Sequence, residues 1–163
     1  RKPSLPWKQE KHGRSIRMAD VFRGFAFKIN QLIIGFGSAL VHTIGYQEGA
    51  HNFVGIYARN SMQWIVTQQA CAAYSYIYVP LYHTLGKEAM QYIIQQTELQ
   101  TVMCHSMTEA KFILNEVQSS IKYVILATHP EGIDSESVFG ENVRLIYFDE
   151  MTTHGRTNPV PMR

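Results

Sequence analysis

From residue 53 onward, short apolar runs alternate along the chain with stretches of helical periodicity. Apolar runs of about four to eight residues between turn residues are typical of buried strands, whereas a helical period indicates helices packed on a sheet. The predicted strands cover residues 53–57, 77–80, 99–104, 121–127 and 143–148. Strands that alternate with helices indicate βαβ units, so the expected fold class is α/β, a layered parallel sheet with flanking helices.

Helices are predicted between these strands. Residues 60–76 form the first, whose small side chains allow close approach to a sheet, and residues 82–86 form the loop before the second. The second helix is expected to bury Ala89, Met90, Ile93, Ile94 and Thr97. The third begins at a capping box of Ser106 and Glu109, because each side chain can bond a backbone N–H left free at a helix start. Its buried stripe is predicted to be Ala110, Ile113, Leu114 and Val117, and a polar loop is expected over residues 128–142.

Two stretches, residues 29–47 and 60–86, contain no Asp, Glu, Lys or Arg, so each must be tested as a membrane span. The first offers only about 14 mostly apolar residues from Leu32, where a span needs about 20, and Pro80 interrupts the second. Neither is therefore expected to cross a membrane. The first is predicted to be an amphipathic helix. Its apolar face carries Phe22, Phe25, Ile29, Leu32, Ile33, Phe36 and Leu40, opposite Lys28, Gln31, Ser38 and His42.

Composition indicates one globular domain that belongs to something larger. The 163 residues are about one domain's worth, and 45% of them are apolar, which excludes a disordered tail. Charged residues make up only 17%, against a usual ~25%, beside 9 Tyr, 8 Phe and 2 Trp. Some surface is therefore expected to be covered by other parts of a larger protein. The first residue is not Met, and the last residues include Pro159 and Pro161. We interpret both ends of the sequence as cuts through connecting segments.

Positive charge is concentrated in residues 1–28, which hold eight basic and two acidic residues, a net charge of +6. The rest of the chain carries −4. This basic arm also contains Trp7, Phe22, Phe25 and Phe27. A solvated arm is the simplest interpretation. Binding of the arm to anionic lipid is the alternative, because Lys and Arg bind phosphate while aromatic rings sit at the membrane interface. Stacking of the aromatic rings on nucleic-acid bases is a third interpretation, but no nucleic-acid partner is expected.

The sequence contains no Walker loop, no His-Glu-x-x-His motif and no Cys-x-x-Cys pair, so nucleotide, zinc-hydrolase and zinc-ribbon sites lack their usual residues. Gly35, Gly37 and Ser38 imitate the start of a dinucleotide fingerprint. However, Leu40 stands where its last glycine belongs, and a helical pattern precedes it. Close helix packing is the better explanation of these glycines.

None of the seven histidines is spaced with another His, a Cys or a carboxylate as a metal-ligand pair. Cys104 and His105 are adjacent, but neighbouring strand residues point to opposite faces, so they make a poor nucleophile–base pair. Cys104 is expected to be a structural thiol, and a disulfide with Cys71 is not expected.

Four tyrosines crowd one predicted helix-to-strand junction: Tyr74, Tyr76, Tyr78 and Tyr82. Rings at such a junction can line a pocket, but they more often belong to the core or to an interface. The second interpretation is preferred.

A further set of strings runs through the chain: Gly37-Ser38-Ala39-Leu40, Val54-Gly55-Ile56-Tyr57-Ala58-Arg59-Asn60, Trp64, Ala73-Tyr74-Ser75, Val79-Pro80-Leu81-Tyr82-His83-Thr84-Leu85-Gly86, Glu88-Ala89, Tyr92-Ile93 and Glu98-Leu99. Together they resemble the long-chain fatty-acid CoA ligases of the adenylate-forming enzyme superfamily. The resemblance covers roughly residues 30–160. It implies that residues 29–163 are the N-terminal portion of an AMP-binding domain, preceded by residues 1–28 as a basic arm or insertion.

The resemblance implies an enzyme that activates a fatty acid with ATP and Mg²⁺ as an acyl-adenylate, releases pyrophosphate and transfers the acyl group to the thiol of CoA. ATP, Mg²⁺ and CoA are the implied cofactors of the full-length protein, and fatty acid and CoA its implied partners. The implied location is intracellular and membrane-associated, at the endoplasmic reticulum, the mitochondrial outer membrane or the peroxisome.

The catalytic motifs of that family are expected outside this chain. The phosphate loop follows shortly after the position that corresponds to Pro161, and the remaining motifs come later. We therefore assign no catalytic, cofactor-binding or metal-binding residue here, and expect the fragment to be inactive and to contact the remaining domains of the same enzyme. A non-catalytic interaction or membrane-surface module is the alternative.

The chain departs from the family at three places. His83 stands where members usually have Asp, and Ser61-Met62-Gln63-Trp64 stands where they have Arg-Pro-Glu-Trp. Both positions are expected to be structural. Residues 9–27 are unrelated to the family pattern and are either a genuine basic insertion or a misjoined piece of coding sequence that would fit the fold poorly.

Overall fold

In the computed structural model, which describes residues 17–47, 52–117, 120–129 and 142–163, parallel strands form one sheet flanked by helices. The strands are β1 (Phe53–Tyr57), β2 (Ile77–Pro80), β3 (Thr101–Cys104), β4 (Tyr123–Leu126) and β5 (Arg144–Tyr147), in the order β2-β1-β3-β4-β5. The helices are α1 (Met18–Ala39), α2 (Met62–Ala73), α3 (Lys87–Gln96), α4 (Met107–Glu116) and α5 (Phe148–Thr157). All neighbouring strands run parallel, which confirms the α/β class.

Alternate residues of each strand face opposite sides of the sheet and build two separate cores. The core beneath α1, α2 and α5 contains the strand residues Val54, Ile56, Met103, Ile125 and Ile146. The core beneath α3 and α4 contains the strand residues Tyr57, Val79, Val102, Cys104, Val124 and Leu126. Both faces are apolar, which explains why the strands appear in the sequence as continuous apolar runs.

The helix that precedes β2 is shorter than predicted because a left-handed residue ends it. Ser75 has a φ of 57°, and the N–H of Tyr76 donates to the carbonyl of Cys71 at 2.8 Å. This arrangement satisfies carbonyls that a helix end leaves free. Glu98, with a φ of 47°, follows the end of α3 in the same way, so β3 begins at Thr101 and not at residue 99.

The inner face predicted for α3 is correct at its centre and wrong at one edge. Met90 and Ile94 are fully buried, and Ile93 and Thr97 are half-buried. Ala89 is exposed. Successive helical residues project about 100° apart, so Ala89 points away from the line that joins Met90 to Ile94.

Serine residues are the N-caps of α2 and α4. Ser106 Oγ accepts a hydrogen bond from the Thr108 N–H at 3.3 Å and donates one to the Glu109 carboxylate, so the predicted pair does meet at this helix start. Ser61 Oγ accepts from the Trp64 N–H at 3.2 Å, a structural role for one departure from the family pattern. The buried stripe of α4 comprises Ala110, Ile113 and Val117, with Leu114 half-buried.

α1 is buried at its C-terminal end and exposed at its N-terminal end. Phe22 is 66% exposed and Phe25 is 63% exposed, so this part of the predicted apolar face is uncovered. All residues from Gly35 to Leu40 are buried, including Ser38, which the sequence pattern wrongly places on the polar face. The helix continues into a π-helical turn, Leu40–Ile44.

Against the expectation from the sequence, Met18–Ile44 is long and apolar enough to cross a membrane by length and composition, with a mean hydropathy of 1.4 over an 18-residue window. The core helix of a globular domain passes the same test. In the folded chain the C-terminal part of α1 packs against α2 and α5. The fully exposed stretch, residues 18–28, is about 16 Å long at ~1.5 Å per residue, which is short of the ~30 Å hydrocarbon core.

Glycines let the helices approach closely, as the sequence predicts. A Cβ added to Gly155 of α5 would collide with the carbonyl oxygen of Gly35 in α1. A Cβ added to Gly37 would collide with the ring of Tyr74. The glycines at residues 35 and 37 thus serve helix packing, and the residues directly before them belong to α1 and not to the strand that a dinucleotide fingerprint requires.

Candidate functional site

The sheet has a topological switch point between β1 and β3, because the chain moves outward from β1 to β2 and then returns to the other side of β1. In open parallel sheets, ligands commonly bind outside the carboxyl ends of the strands at such a point. Here aromatic rings lie at that edge. The Tyr57 ring is 4.5 Å from the His83 ring and 6.0 Å from the Phe112 ring, centroid to centroid. His83 therefore packs on the sheet edge.

A buried carboxylate lies beside these rings. Glu109 is only 8% exposed and accepts the hydrogen bond from Ser106. Burial raises the pKa of the Glu109 carboxyl, but the hydrogen bond from Ser106 and the nearby imidazoles of His105 and His83 lower it more, so the pKa lies below its ordinary value. The group is therefore an anion at neutral pH. His105 Nδ1 is also buried at this edge, without a hydrogen-bond partner among the described residues.

Both cysteines are free, buried thiols. Burial raises the pKa of Cys71 to about 12 and also raises that of Cys104, beside which the Glu109 carboxylate adds to the effect. The thiolate is the reactive form of cysteine, and at neutral pH it is nearly absent here. Cys104 packs in the core beneath α3 and α4, where a structural thiol is expected to lie.

The described histidines form pairwise contacts, and the rings of His42 and His154 meet edge to face with centroids 6.3 Å apart. His129 Nε2 is 2.7 Å from Asp149 Oδ1, and the His129 ring stacks on Tyr147 with centroids 4.0 Å apart. This hydrogen bond lowers the pKa of Asp149. Within the described residues, no three His, Cys, Asp or Glu side chains are grouped so that they could hold a metal ion. His12 and His51 lie outside those residues, as does most of the polar loop predicted over residues 128–142.

The tyrosine cluster divides into a buried and an exposed pair. Tyr74 is fully buried and Tyr76 is 5% exposed, and their rings stack with centroids 6.1 Å apart. Tyr78 and Tyr82 are largely exposed. The core interpretation is confirmed for the first pair.

Ser38 and Tyr74 jointly bind the backbone of Val160; we call these three residues the Val160 clamp. The Val160 N–H donates to Ser38 Oγ at 2.9 Å, and the Tyr74 hydroxyl donates to the Val160 carbonyl at 2.9 Å. Ser38 Oγ and Tyr74 Oη are 3.1 Å apart. The sequence pattern marks Ser38 and Tyr74 separately but does not connect the three residues, because Tyr74 and Val160 lie 36 and 122 positions from Ser38.

A cavity of about 290 Å³ lies at the opposite, amino edge of the sheet. Its walls include Tyr46, Glu98, Thr101, Lys122 and Tyr123. Burial raises the pKa of the Tyr46 hydroxyl, which donates to the Phe53 carbonyl at 2.6 Å. The amino edge is not where parallel sheets usually bind ligands, and the Tyr46 bond serves to fix the chain before β1.

The exposed end of α1 presents an apolar face toward solvent. Met18, Val21, Phe22 and Phe25 share one side of the helix, and each is more than half exposed; we call them the α1 apolar face. Phe27 is equally exposed but lies on the opposite side. Exposed apolar residues grouped in this way indicate a surface that meets another molecule or another part of the protein.

Comparison with known proteins places the chain among enzymes that bind AMP. The family model described as AMP-binding enzyme matches residues 28–150. The chain is 40% identical over 85 residues to long-chain-fatty-acid–CoA ligase 1 of Homo sapiens, a match that covers 52% of this chain and 12% of that protein. It is 33% identical over 125 residues to the peroxisomal long chain acyl-CoA synthetase 6 of Arabidopsis thaliana, covering 76% of this chain and 17% of that protein. The chain thus spans less than a fifth of these relatives.

Solved structures share the fold. The A domain of carboxylic acid reductase from Segniliparus rugosus, solved with AMP and a carboxylic acid, matches with a TM-score of 0.67 at 15% identity, over 84% of this chain and 23% of that chain. A long-chain-fatty-acid–CoA ligase from Archaeoglobus fulgidus matches with a TM-score of 0.55 at 18% identity, over 79% of this chain and 22% of that chain. The parallel sheet and its helices therefore have the fold seen in the corresponding part of these two proteins.

Proposed function

Because this chain belongs to the AMP-binding enzyme family, we propose that it is the N-terminal part of a long-chain fatty-acid CoA ligase. The complete protein activates a fatty acid with ATP and Mg²⁺ as an acyl-adenylate, with release of pyrophosphate, and passes the acyl group to the thiol of CoA. The observation that carries the proposal is the 40% identity to a human long-chain ligase within the matched residues. Residues 29–163 are the N-terminal portion of its AMP-binding domain.

The described residues do not fit ATP or its magnesium. Glu109 is an anion at the carboxyl edge of the switch point and would repel phosphate, while Tyr57 and His83 fill the same edge. No group of side chains in the described ranges could hold a metal ion. We propose that ATP, Mg²⁺ and CoA bind in the remainder of the protein, where the resemblance implies a phosphate-binding loop shortly after the position of Pro161. In this proposal the present chain supports that site and contacts the domains that form it.

The test is ATP–pyrophosphate exchange with palmitate and Mg²⁺, run on the full-length protein and on the 163-residue chain. Adenylation needs donors and a cation placed around the phosphates, so exchange is expected only from the full-length protein. A silent full-length protein would overturn the ligase function. Exchange by the 163-residue chain would instead show that the catalytic groups lie within it.

A membrane-surface role is the second candidate function, favoured by the α1 apolar face. Its neighbours Arg17 and Arg23 are exposed, although each is also within 4 Å of Asp20. A helix with this pattern lies in the plane of a lipid surface, with its rings at the headgroup level and its cations on phosphate. The membrane would be that of the endoplasmic reticulum, the mitochondrial outer membrane or the peroxisome; one relative is named as peroxisomal.

Vesicle sedimentation tests this role. Vesicles of phosphatidylcholine with about one third phosphatidylserine are expected to bind the chain, and binding should weaken as salt screens the charges over ~8 Å. Binding that salt does not change, or no binding at low salt, would reject an electrostatic membrane surface.

A further inference from the structure

The Val160 clamp forms a closed ring of hydrogen bonds. The Val160 N–H can only donate, so Ser38 Oγ accepts from it at 2.9 Å. The Tyr74 hydroxyl has one proton, and the Val160 carbonyl at 2.9 Å is a closer acceptor than the Ile34 carbonyl at 3.2 Å. The Ser38 proton is then directed at Tyr74 Oη, 3.1 Å away. Both backbone groups of Val160 are thus bound as a neighbouring strand would bind them.

The two side chains of the clamp are built into the core. Ser38 and Tyr74 are both fully buried. The Tyr74 ring lies against Gly37, where a side chain would displace it. A buried hydroxyl costs free energy unless it is bonded, so each clamp hydroxyl needs its partner. Gly37, Ser38 and Tyr74 also lie within the strings that resemble the ligases, and neither the fold nor the proposed chemistry has given the two hydroxyls a role.

The segment that the clamp holds is also bound at its start, where His42 Nε2 lies 2.9 Å from the carbonyl oxygen of Asn158. Residues 158–163 follow α5 and form neither helix nor strand. Pro159 and Pro161 have no N–H, so Val160 has the one backbone donor of that tripeptide. Beyond the clamp, the Arg163 N–H donates to the Ala73 carbonyl at 2.8 Å. These bonds set the position and direction of the chain as it passes Arg163.

We propose that Ser38 and Tyr74 are positioning residues for the phosphate-binding loop that follows Arg163 in the complete ligase. This inference rests on the proposed function. Catalytic donors must be held within about 0.5 Å of their productive geometry, and the clamp ties the approach to that loop to the rigid end of α1 and the end of α2. Neither residue touches a substrate; they act through the path of the backbone.

Kinetics of the full-length enzyme test the proposal through Tyr74→Phe and Ser38→Ala. Each variant removes one hydroxyl from the ring of hydrogen bonds around Val160. Each is therefore expected to raise KM for ATP about tenfold, the equivalent of about 1.4 kcal/mol, while KM for palmitate stays within about twofold. Because either substitution breaks the same ring of hydrogen bonds, KM for ATP of the double variant should be no higher than that of the more affected single variant.

Tyr76→Phe is the matched control. Tyr76 is a buried neighbour of Tyr74, but its hydroxyl has no hydrogen-bond partner among the described residues. Loss of that hydroxyl should leave KM for ATP unchanged. A general effect on core stability would affect both tyrosine variants and both substrates alike.

Hydrogen exchange separates the clamp from the ligase function. In Tyr74→Phe the amide of Val160 should exchange at least about tenfold faster, and in Tyr76→Phe it should not. Unchanged protection of Val160 in Tyr74→Phe would overturn the clamp itself. Faster exchange with an unchanged KM for ATP would overturn the positioning role, whereas a silent wild-type enzyme would overturn the proposed function and the positioning role with it.

Discussion

Gly155 faces the carbonyl oxygen of Gly35 so closely that no Cβ fits between α5 and α1. This contact joins α1 and α5, the first and last helices of the described residues, which lie on the same side of the sheet. It brings the end of α5 to the buried part of α1 and so leads residues 158–163 toward Ser38. The crossing of two helices thus determines the path of the segment that follows α5.

Gly155→Ala is expected to destabilise the fold by about 1–3 kcal/mol, because the added methyl overpacks a backbone contact. Urea unfolding followed by circular dichroism measures the change. Gly24→Ala is the control: Gly24 lies in the exposed part of α1 with open space around its Cα. That substitution should stabilise by about 0.5–1 kcal/mol through helix propensity, and equal losses from both variants would contradict the close crossing.

The α1 apolar face predicts a directional effect on vesicle binding. Phe22→Ser combined with Phe25→Ser should lower the bound fraction at least about fivefold, because it removes two rings that enter the lipid interface. Phe27→Ser removes an equally exposed ring from the opposite side and should change binding little. If both variants lose binding equally, the helix does not lie on that face.

The buried thiols should resist alkylation in the folded chain. With a pKa of about 12, Cys71 is only ~10⁻⁴ thiolate at pH 8. Unfolding in urea returns the thiol to its ordinary pKa of 9.0 and should speed the reaction with iodoacetamide about a thousandfold. Mass spectrometry of tryptic peptides measures both rates. Rapid labelling of the native chain would contradict a protonated, buried Cys71.

The buried Glu109 makes stability depend on pH in the acid range. Its pKa is lowered in the fold, so the charged form contributes stability above the ordinary value of 4.5, and this contribution is lost as the pH falls below it. The free energies of unfolding of wild type and Glu109→Gln, measured in urea, should therefore differ more at pH 7 than at pH 3.

Ser106→Ala should raise the pKa of Glu109, which carboxyl NMR titration measures. It should also lower the free energy of unfolding by about 1 kcal/mol through loss of the helix cap. An unshifted titration would show that the hydroxyl does not hold the carboxylate.

Local periodicity was enough to predict the sheet. The strands at residues 53–57 and 77–80 are found with the predicted bounds, and the other three are two or three residues shorter than predicted. Apolar runs and helical spacing depend on neighbours within a few positions, which is the range that a pattern can describe. The start of β3 is lost because left-handed Glu98 overrides the pattern there, and left-handed Ser75 likewise shortens the helix before β2.

The sequence alone therefore determined the α/β class, the parallel strands, the family and the glycines that allow close helix packing. Only the tertiary structure decided which residues of α1 are covered and how Ser38 is used. By its pattern Ser38 belongs on a polar face, yet it is buried because Tyr74 and Val160, 36 and 122 residues away, bond its hydroxyl. The exposure of Phe22 is also decided by tertiary structure, because α1 extends beyond the elements it packs against. An apolar residue is buried only where another part of the structure covers it.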